Sequence, residues 1–320
     1  MRQYLFTKQK TVELVERELF PGPEQVGGKT LVSLISAGTE INGPYWNTQG
    51  WEYPLSCGYS AVFQIDYVGE NAQGLKKGDL AFCCGNHADY QLHDGKEVIK
   101  LPEGMEPETA LFARMAGISM ATLSRTNIHP GDKVLVVGLG AVGLLALQAY
   151  SACGYRVAGV EPSPERAAFA RQLTGLTVYE QLPEEENGKS GLALECSGTQ
   201  QAAMTCCLGL RQGGEMSLVG VPWKPTGDIQ SYQLLNRIFY QYLTVYSGWE
   251  MNLPLCPAPF APDSQKGNFS LALKWLKEGR LRTHGMWAAY PYQQAQQVYD
   301  AIAEKREPHI SVIFDWRKDI

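Results

Sequence analysis

Gly138, Gly140 and Gly143 form a G-x-G-x-x-G pattern, Gly138-Leu139-Gly140-Ala141-Val142-Gly143, with Glu161 about 20 residues beyond it. These residue types at this spacing suit the holding of a dinucleotide pyrophosphate. Gly138 permits a tight turn, Gly140 lets the backbone approach the phosphates, and Gly143 lets a helix pack close to a strand. A helix that starts in the turn offers unpaired N–H groups and the positive end of its dipole. An acid at the distance of Glu161 accepts hydrogen bonds from the adenosine ribose hydroxyls. A glycine-rich hexapeptide alone is also just a turn. Its surroundings decide the matter.

Val134-Leu135-Val136-Val137 is a continuous apolar run, as in a strand buried on both faces. Leu144 to Ala152 reads as a helix stopped by Gly154, and Arg156 to Val160 as a second strand that ends in Glu161. Further strand candidates are 176–180, 192–196, 215–220 and 244–248, the first two being 133–138 and 155–160. Ser163-Pro164-Glu165 starts a helix with an N-cap and a first-turn proline, and Thr174-Gly175 ends it. Thr199 to Leu210 is another helix, closed by Gly213-Gly214. Strands alternating with helices in this way predict a parallel, doubly wound sheet.

Residues 1–125 read instead as short β segments broken by turns, among them Val12–Val15, Thr30–Ile35, Ala61–Val68 and Leu80–Phe82. Glu108 to Leu123 is an apolar helix leading to the glycine motif. After Trp249, Pro254, Pro257, Pro259 and Pro262 make a loop. Two amphipathic helices, Phe269–Lys277 and Tyr292–Lys305, then precede a closing strand at His309–Phe314. That strand needs a sheet to join, so residues 251–320 are expected to return to the first domain. A length of 320 residues suits two domains, and a net charge of −5 without a basic stretch argues against nucleic acid and anionic membranes. No stretch is long and apolar enough to span a bilayer, and the first 30 residues hold no signal-type core, so a cytoplasmic location is expected. The eight cysteines include no C-x-x-C and do not read as a disulfide framework.

The order of a β-rich part, a dinucleotide fold and a C-terminal return resembles the medium-chain dehydrogenase/reductase superfamily. So do Gly69 through Gly74 to Lys77-Gly78-Asp79, Leu101-Pro102-Glu103-Gly104-Met105, Glu195-Cys196-Ser197-Gly198, Val219-Gly220-Val221-Pro222 and Arg282-Thr283-His284. The resemblance implies an α/β chain. A GroES-like β-rich catalytic domain would cover 1–125 and a Rossmann doubly wound parallel six-stranded sheet 126–250. It adds Cys196, Ser197, Gly220 and Val221 to the cofactor-lining residues Gly138, Leu139, Gly140, Ala141, Val142, Gly143, Glu161 and Arg166.

The departures concern the metal. Zinc-dependent members carry C-G-[ST]-[DE] where this chain has Ala37-Gly38-Thr39-Glu40, and G-H-E where it has Gly58-Tyr59-Ser60. Ala113 falls at the third ligand position, and the four-cysteine lobe is missing. Alanine offers no ligand atom, so the resemblance implies no zinc. His87 with Cys83-Cys84 is the remaining candidate set, although adjacent cysteines suit a strand end better. Ser36 to Glu40, Tyr53-Pro54-Leu55 and Gly58-Tyr59 are most similar to a zinc-free branch represented by bacteriochlorophyllide dehydrogenase.

Without a metal, hydroxyl donors must stabilise the oxygen of an alcohol or ketone. Thr39 occupies the family's relay position, and Tyr59 is the expected donor or acid, unless its ring merely fills the vacated space. Glu40 orients the substrate or holds a domain contact. Tyr45, Trp46, Trp51 and Tyr53 suit a flat substrate or a loop packed on itself, and His87 is a second proton carrier or a surface histidine. Glu161 would repel a 2′-phosphate and Arg166 is near enough to reach a ribose hydroxyl, which favours NAD(H) over NADP(H). The expected function is zinc-independent, NAD(H)-dependent interconversion of a secondary alcohol and a ketone on a small or ring-bearing metabolite. A zinc-free ene or quinone reductase and a non-catalytic dinucleotide-binding redox sensor are the rivals. A small-molecule substrate is the expected partner, and a homodimer stays open.

Overall fold

The computed structural model describes residues 1–317, which divide into two compact units. The first comprises Met1–Arg114, Phe269–Lys277 and the stretch from Thr283 onward. The second comprises Met115–Asn268 and Glu278–Arg282.

The first unit opens with β1 (Arg2–Lys8), β2 (Thr11–Glu16) and β3 (Gln25–Ile35), followed by the short helix α1 (Ala37–Glu40). It continues through β4 (Leu55–Ser56), β5 (Ala61–Val68), β6 (Leu80–Cys83), β7 (Tyr90–Asp94), β8 (Ile99–Lys100) and α2 (Pro107–Ala110). Strand β1 pairs antiparallel with β2 and β4. Four of its residues, Gln3 to Phe6, are buried in succession, so it lacks the alternation by which a strand is read from sequence. Strand β3 is long enough to serve two partners, β7 along Gln25–Lys29 and β5 along most of its length.

Helix α3 (Phe112–Met120) leads into the second unit, where β9 (Lys133–Val137), α4 (Ala141–Ala152), β10 (Arg156–Val160), α5 (Pro164–Thr174) and β11 (Thr177–Tyr179) form one half. The other half is β12 (Ser190–Glu195), α6 (Gln200–Gly209), β13 (Leu210–Leu218), α7 (Ser231–Tyr240) and β14 (Thr244–Ser247). All six strands run parallel in the order β11-β10-β9-β12-β13-β14, the doubly wound sheet expected from the alternation. The order reverses between β9 and β12, which is where such sheets bind ligands. Ser163 caps α5 with its side chain, and Gly175 ends the helix at φ 71°. Helix α7 was not legible beforehand for two reasons. Its outer face carries Tyr232, Leu235 and Phe239, each at least 63% exposed, and its capping box uses Gln230 and Gln233 in place of a short hydroxyl cap.

The chain then runs through α8 (Gln265–Lys277), β15 (Trp287–Pro291), α9 (Ala295–Ala303) and β16 (Ser311–Asp315). Strand β16 pairs antiparallel with the end of β3, Val312 opposite Ile35, and parallel with β15. This delivers aromatic side chains to the core of the first unit, where Tyr4, Phe6, Tyr45, Tyr299, Phe314 and Trp316 pack together. Trp316 stacks on Tyr292 with ring centroids 4.4 Å apart, and Phe314 is fully buried. No helix among the described residues is long and apolar enough to cross a membrane.

Phe314 touches the rings of Tyr4, His87 and Tyr299, so its removal leaves a cavity that β16 cannot close. Phe314→Ala is expected to lower the stability of the first unit by about 3–5 kcal/mol. A urea titration followed through tryptophan fluorescence, to which Trp316 contributes, measures the shift in midpoint.

Candidate active site

The glycine turn sits at the C-terminal end of β9, and its three glycines differ in what a side chain would meet. Gly138 has φ +88°, and a Cβ there would lie 2.8 Å from that of Ser197. A Cβ on Gly143 would lie 1.9 Å from the Gly138 carbonyl oxygen, so α4 can start this close to the strand only with glycine. A Cβ on Gly140 would meet nothing within 4 Å. Gly140 is the N-cap of α4 and has no side chain over the helix end. The turn therefore presents bare backbone at a helix N-terminus, the arrangement that holds phosphate.

Two further turns close against it. The amide of Cys196 donates to the Val137 carbonyl, and a Cβ on Gly143 would also lie 3.2 Å from that of Cys196. Gly198 and Gly220 pack backbone to backbone, since a Cβ on Gly220 would lie 2.2 Å from the Gly198 nitrogen. Ser197, Cys196, Gly220 and Val221 are thus brought beside the glycine turn.

Glu195 was not singled out from sequence, yet it shapes this corner. It is 2% exposed, and its Oε1 accepts from the Ser197 amide at 2.8 Å, the Ser197 hydroxyl at 2.6 Å and the Gly198 amide at 2.9 Å. Burial nevertheless raises its carboxyl pKa, against the pull of those donors. An acid ending an otherwise apolar strand was the available signal.

Glu161 plays the same part at the end of β10. Its Oε2 accepts from the Leu139 amide and its Oε1 from the Ser163 amide, both at 3.0 Å. Arg166 pairs with Oε1 at 3.0 Å. The guanidinium is therefore held beside Glu161. A carboxylate has about four acceptor positions, so three occupied ones leave capacity for one hydroxyl.

In the first unit, Tyr59 and Thr39 come together. The two hydroxyls lie 3.3 Å apart, and the Tyr59 hydroxyl also donates to Ser36 Oγ. Tyr59 is half-buried. Its phenol pKa is raised by burial, against the lowering effects of the Ser36 and Thr39 hydroxyls and the Arg114 charge. The group is therefore a neutral donor at ordinary pH. Sequence reading quoted Ser36 only as part of a motif and missed Arg114, whose guanidinium lies 4.7 Å from the centre of the Tyr59 ring. A single charge in the apolar run of α3 was its trace.

Several expected substrate contacts belong to the core instead. Tyr45 is buried, donates to Asp300 Oδ1 at 2.7 Å and packs against Phe6 and Tyr299. Trp46 lies edge-on to Tyr45 under the Lys10 ammonium, and Tyr53 donates to the Pro44 carbonyl at 2.8 Å. A π-helical turn at Ile41–Tyr45 buries Ile41, Gly43, Pro44 and Tyr45, while Trp46 and Tyr53 are partly exposed and Trp51 is 44% exposed. His87 is not at the surface. It is fully buried because its backbone pairs with Tyr4 and Cys57, and its ring packs against Gly58, where a Cβ would come within 3 Å. Its Nδ1 meets Ser33 Oγ at 2.7 Å and its Nε2 meets Glu40 Oε2 at 3.2 Å. Glu40, 2% exposed, also accepts from the Tyr299 hydroxyl at 2.5 Å and the Ser36 amide at 2.7 Å. It orients the turn that carries Ser36 and Thr39.

The donor set does not fit a tetrahedral zinc. Ala37 and Ala113 carry no ligand atom, and Ala113 is fully buried. His87 is committed to Ser33 and Glu40. Among the described residues no three His, Cys, Asp or Glu side chains gather to hold an ion.

The contrast between two glycines is testable. Gly140→Ala should cost at most about 1 kcal/mol, because its Cβ enters open space. Gly143→Ala should cost about 3 kcal/mol, because backbone must move to admit it. Urea midpoints of the two variants measure the difference.

Residues 141–253 match a family model described as zinc-binding dehydrogenase. That match lies in the second unit and includes none of Ala37, Tyr59 or Ala113. An alcohol dehydrogenase of Rhizobium meliloti (strain 1021) is 34% identical over 248 residues, covering 64% of this chain and 73% of the relative. An uncharacterized zinc-type alcohol dehydrogenase-like protein, YphC of Escherichia coli (strain K12), is 31% identical over 175 residues, 50% of this chain. The chain spans about half, 49%, of that relative's length. The crystal structure of galactitol-1-phosphate dehydrogenase from Escherichia coli superposes with a TM-score of 0.82 at 20% identity, covering 98% of this chain and 100% of that one. Fold, glycine turn and relatives agree: the chain belongs to the alcohol dehydrogenase-like medium-chain dehydrogenase/reductase superfamily of oxidoreductases.

Proposed function

We propose that the protein interconverts a secondary alcohol and a ketone on a small metabolite, with NAD(H) as cofactor and without zinc. One observation carries the reading. The Tyr59 hydroxyl is gathered with those of Ser36 and Thr39 in a unit whose family ligand positions hold Ala37, Tyr59 and Ala113. The name of the 34%-identical relative, alcohol dehydrogenase, supports the reaction class.

A nicotinamide dinucleotide, when bound, would supply the hydride for a ketone or accept it from an alcohol. Gly138, Gly140 and Gly143 would hold its pyrophosphate, and Glu161 would accept from the ribose. A buried carboxylate at that place repels a 2′-phosphate, which favours NAD(H). The chain's remaining task concerns the substrate oxygen. As the carbonyl carbon gains hydride, its oxygen gains charge, and the Tyr59 hydroxyl turns its proton from Ser36 Oγ to that oxygen and gives it up, leaving a phenolate to which the Ser36 and Thr39 hydroxyls donate. In the reverse direction the Tyr59 phenolate takes the alcohol proton. Thr39 and Ser36 hold the phenol on the correct side of its ring.

Tyr59→Phe keeps the ring and removes only the hydroxyl. It should lower turnover on the order of 10²–10³-fold while leaving NADH affinity, read by fluorescence titration, unchanged. Native turnover in this variant on a substrate the native protein converts would make Tyr59 a packing residue. A protein that binds NADH and converts no alcohol or ketone would be a dinucleotide sensor.

Cofactor choice and metal content are checked separately. NADH should bind more tightly than NADPH, and Glu161→Ala should narrow the gap. A native preference for NADPH overturns the role given to Glu161. Elemental analysis should find no stoichiometric zinc, and one ion per chain retained through mild chelation would refute the metal-free site.

A further inference from the structure

We propose that Arg114 supplies the fixed positive charge of this metal-free site, acting on the substrate oxygen through the Tyr59 phenol. The inference rests on the role of Tyr59 proposed above and assigns a positioning residue that the family's ligand positions do not contain.

Arg114 directly follows Ala113 on α3 and is 5% exposed, in a stretch, Leu111 to Met120, whose other members are apolar or small apart from Ser119. A guanidinium does not shed its proton in a protein, so the charge persists on burial. It lies over two aromatic rings. Its carbon lies 4.7 Å from the Tyr59 ring centre and 5.4 Å from that of Phe269. Phe269 is in turn braced edge-on by Phe82 at 5.7 Å. Ser60, beside Tyr59, is fully buried and donates to the Leu111 carbonyl at 2.9 Å, which ties the Tyr59 backbone to the start of α3.

A cation held over the face of a phenol attracts its electron density and favours negative charge on its oxygen. That is the charge which builds on Tyr59 as its proton passes to a substrate oxygen. Among the described residues, the groups that act on Tyr59 are Arg114 on α3, the hydroxyls of Ser36 and Thr39, and the carboxylate of Glu40. Glu40 acts in the opposite sense, and its oxygens are directed to His87, Tyr299 and the Ser36 amide. Arg114 is thus the cationic member of the set. A lysine would keep the charge but lose the planar, delocalised form of the cation.

The test compares Arg114→Met, Arg114→Gln and Arg114→Lys in protein labelled with ¹³C at tyrosine Cζ, the Tyr59 signal being identified by its loss in Tyr59→Phe. Tyr59 should ionise about one pH unit higher in the Met and Gln variants, a tenfold weaker acid. In the Lys variant it should ionise near the native pH. Turnover should fall about tenfold to a hundredfold with Met or Gln, with NADH affinity unchanged, and recover in large part with Lys. Ionisation of Tyr59 at the native pH in whichever of the Met and Gln variants folds would overturn the proposal. So would equal loss of turnover in Lys and Gln. A native protein without any dehydrogenase turnover removes the function proposed for the site, while the titration still decides whether Arg114 acts on Tyr59.

Discussion

Glu40 lies in the core of the first unit with a backbone amide, an imidazole and a phenol all directed at its carboxylate. The amide belongs to Ser36, the N-cap of the helix that carries Glu40, and the other two come from the segment before β7 and from α9, so two distant parts of the chain meet on one side chain. A buried carboxylate is tolerated only when its oxygens are satisfied, and here each donor also anchors the element it belongs to. His87 extends the network through Ser33 Oγ, which accepts from the Trp316 indole at 2.8 Å. Trp316 follows β16, so the C-terminal return is needed to complete the surroundings of Glu40. The carboxylate in turn holds the Ser36 amide, and with it the turn that presents Ser36 and Thr39 to Tyr59.

The second unit uses the same physics at the ends of two strands. Glu161 ends the run of β10 and ties down the Leu139 and Ser163 amides, while Glu195 ends β12 and ties down those of Ser197 and Gly198. Neighbouring turns are thereby fixed before any ligand arrives, and less ordering is left for a ligand to impose. The start of α4 stays uncapped by any side chain. Polar groups are satisfied where they shape the backbone and left open where a phosphate would sit.

The glycine turn was legible because its constraints are local. Gly143 must be glycine on account of Gly138, five positions earlier, and the apolar run of β9 follows from burial on both faces. The aromatic segment was not, because its partners are remote. Tyr45 is buried by a bond to Asp300, 255 positions later, and by the ring of Tyr299. Composition alone cannot tell such a segment from a loop awaiting a ring-shaped ligand. His87 is the same case, since its surroundings come from Ser33, Glu40 and Phe314. The Tyr59–Thr39 pair was readable only because a family resemblance placed both at one site. Arg114 went unread although a lone cation in an apolar helix is a strong anomaly.

On the metal-free reading, burial and charge act on Tyr59 in opposite directions, and both are required. Burial keeps the phenol protonated, so it can donate to a carbonyl oxygen before hydride arrives. It also makes the proton harder to release when that oxygen becomes an alkoxide. A fixed cation beside the ring eases the second problem without abolishing the first, because it favours the charged phenol while the hydroxyls of Ser36 and Thr39 keep the oxygen in place. A metal would reach the substrate oxygen directly and set the same balance by its own charge. With Ala37 and Ala113 in the ligand positions, the proposed balance would fall to a phenol held by neighbouring hydroxyls with a cation over its ring. The oxygen is then served by an oriented dipole, whose effect depends on geometry more steeply than that of an ion. That dependence gives a physical reason for the rigid support of the Ser36–Glu40 turn by a network that reaches as far as Trp316.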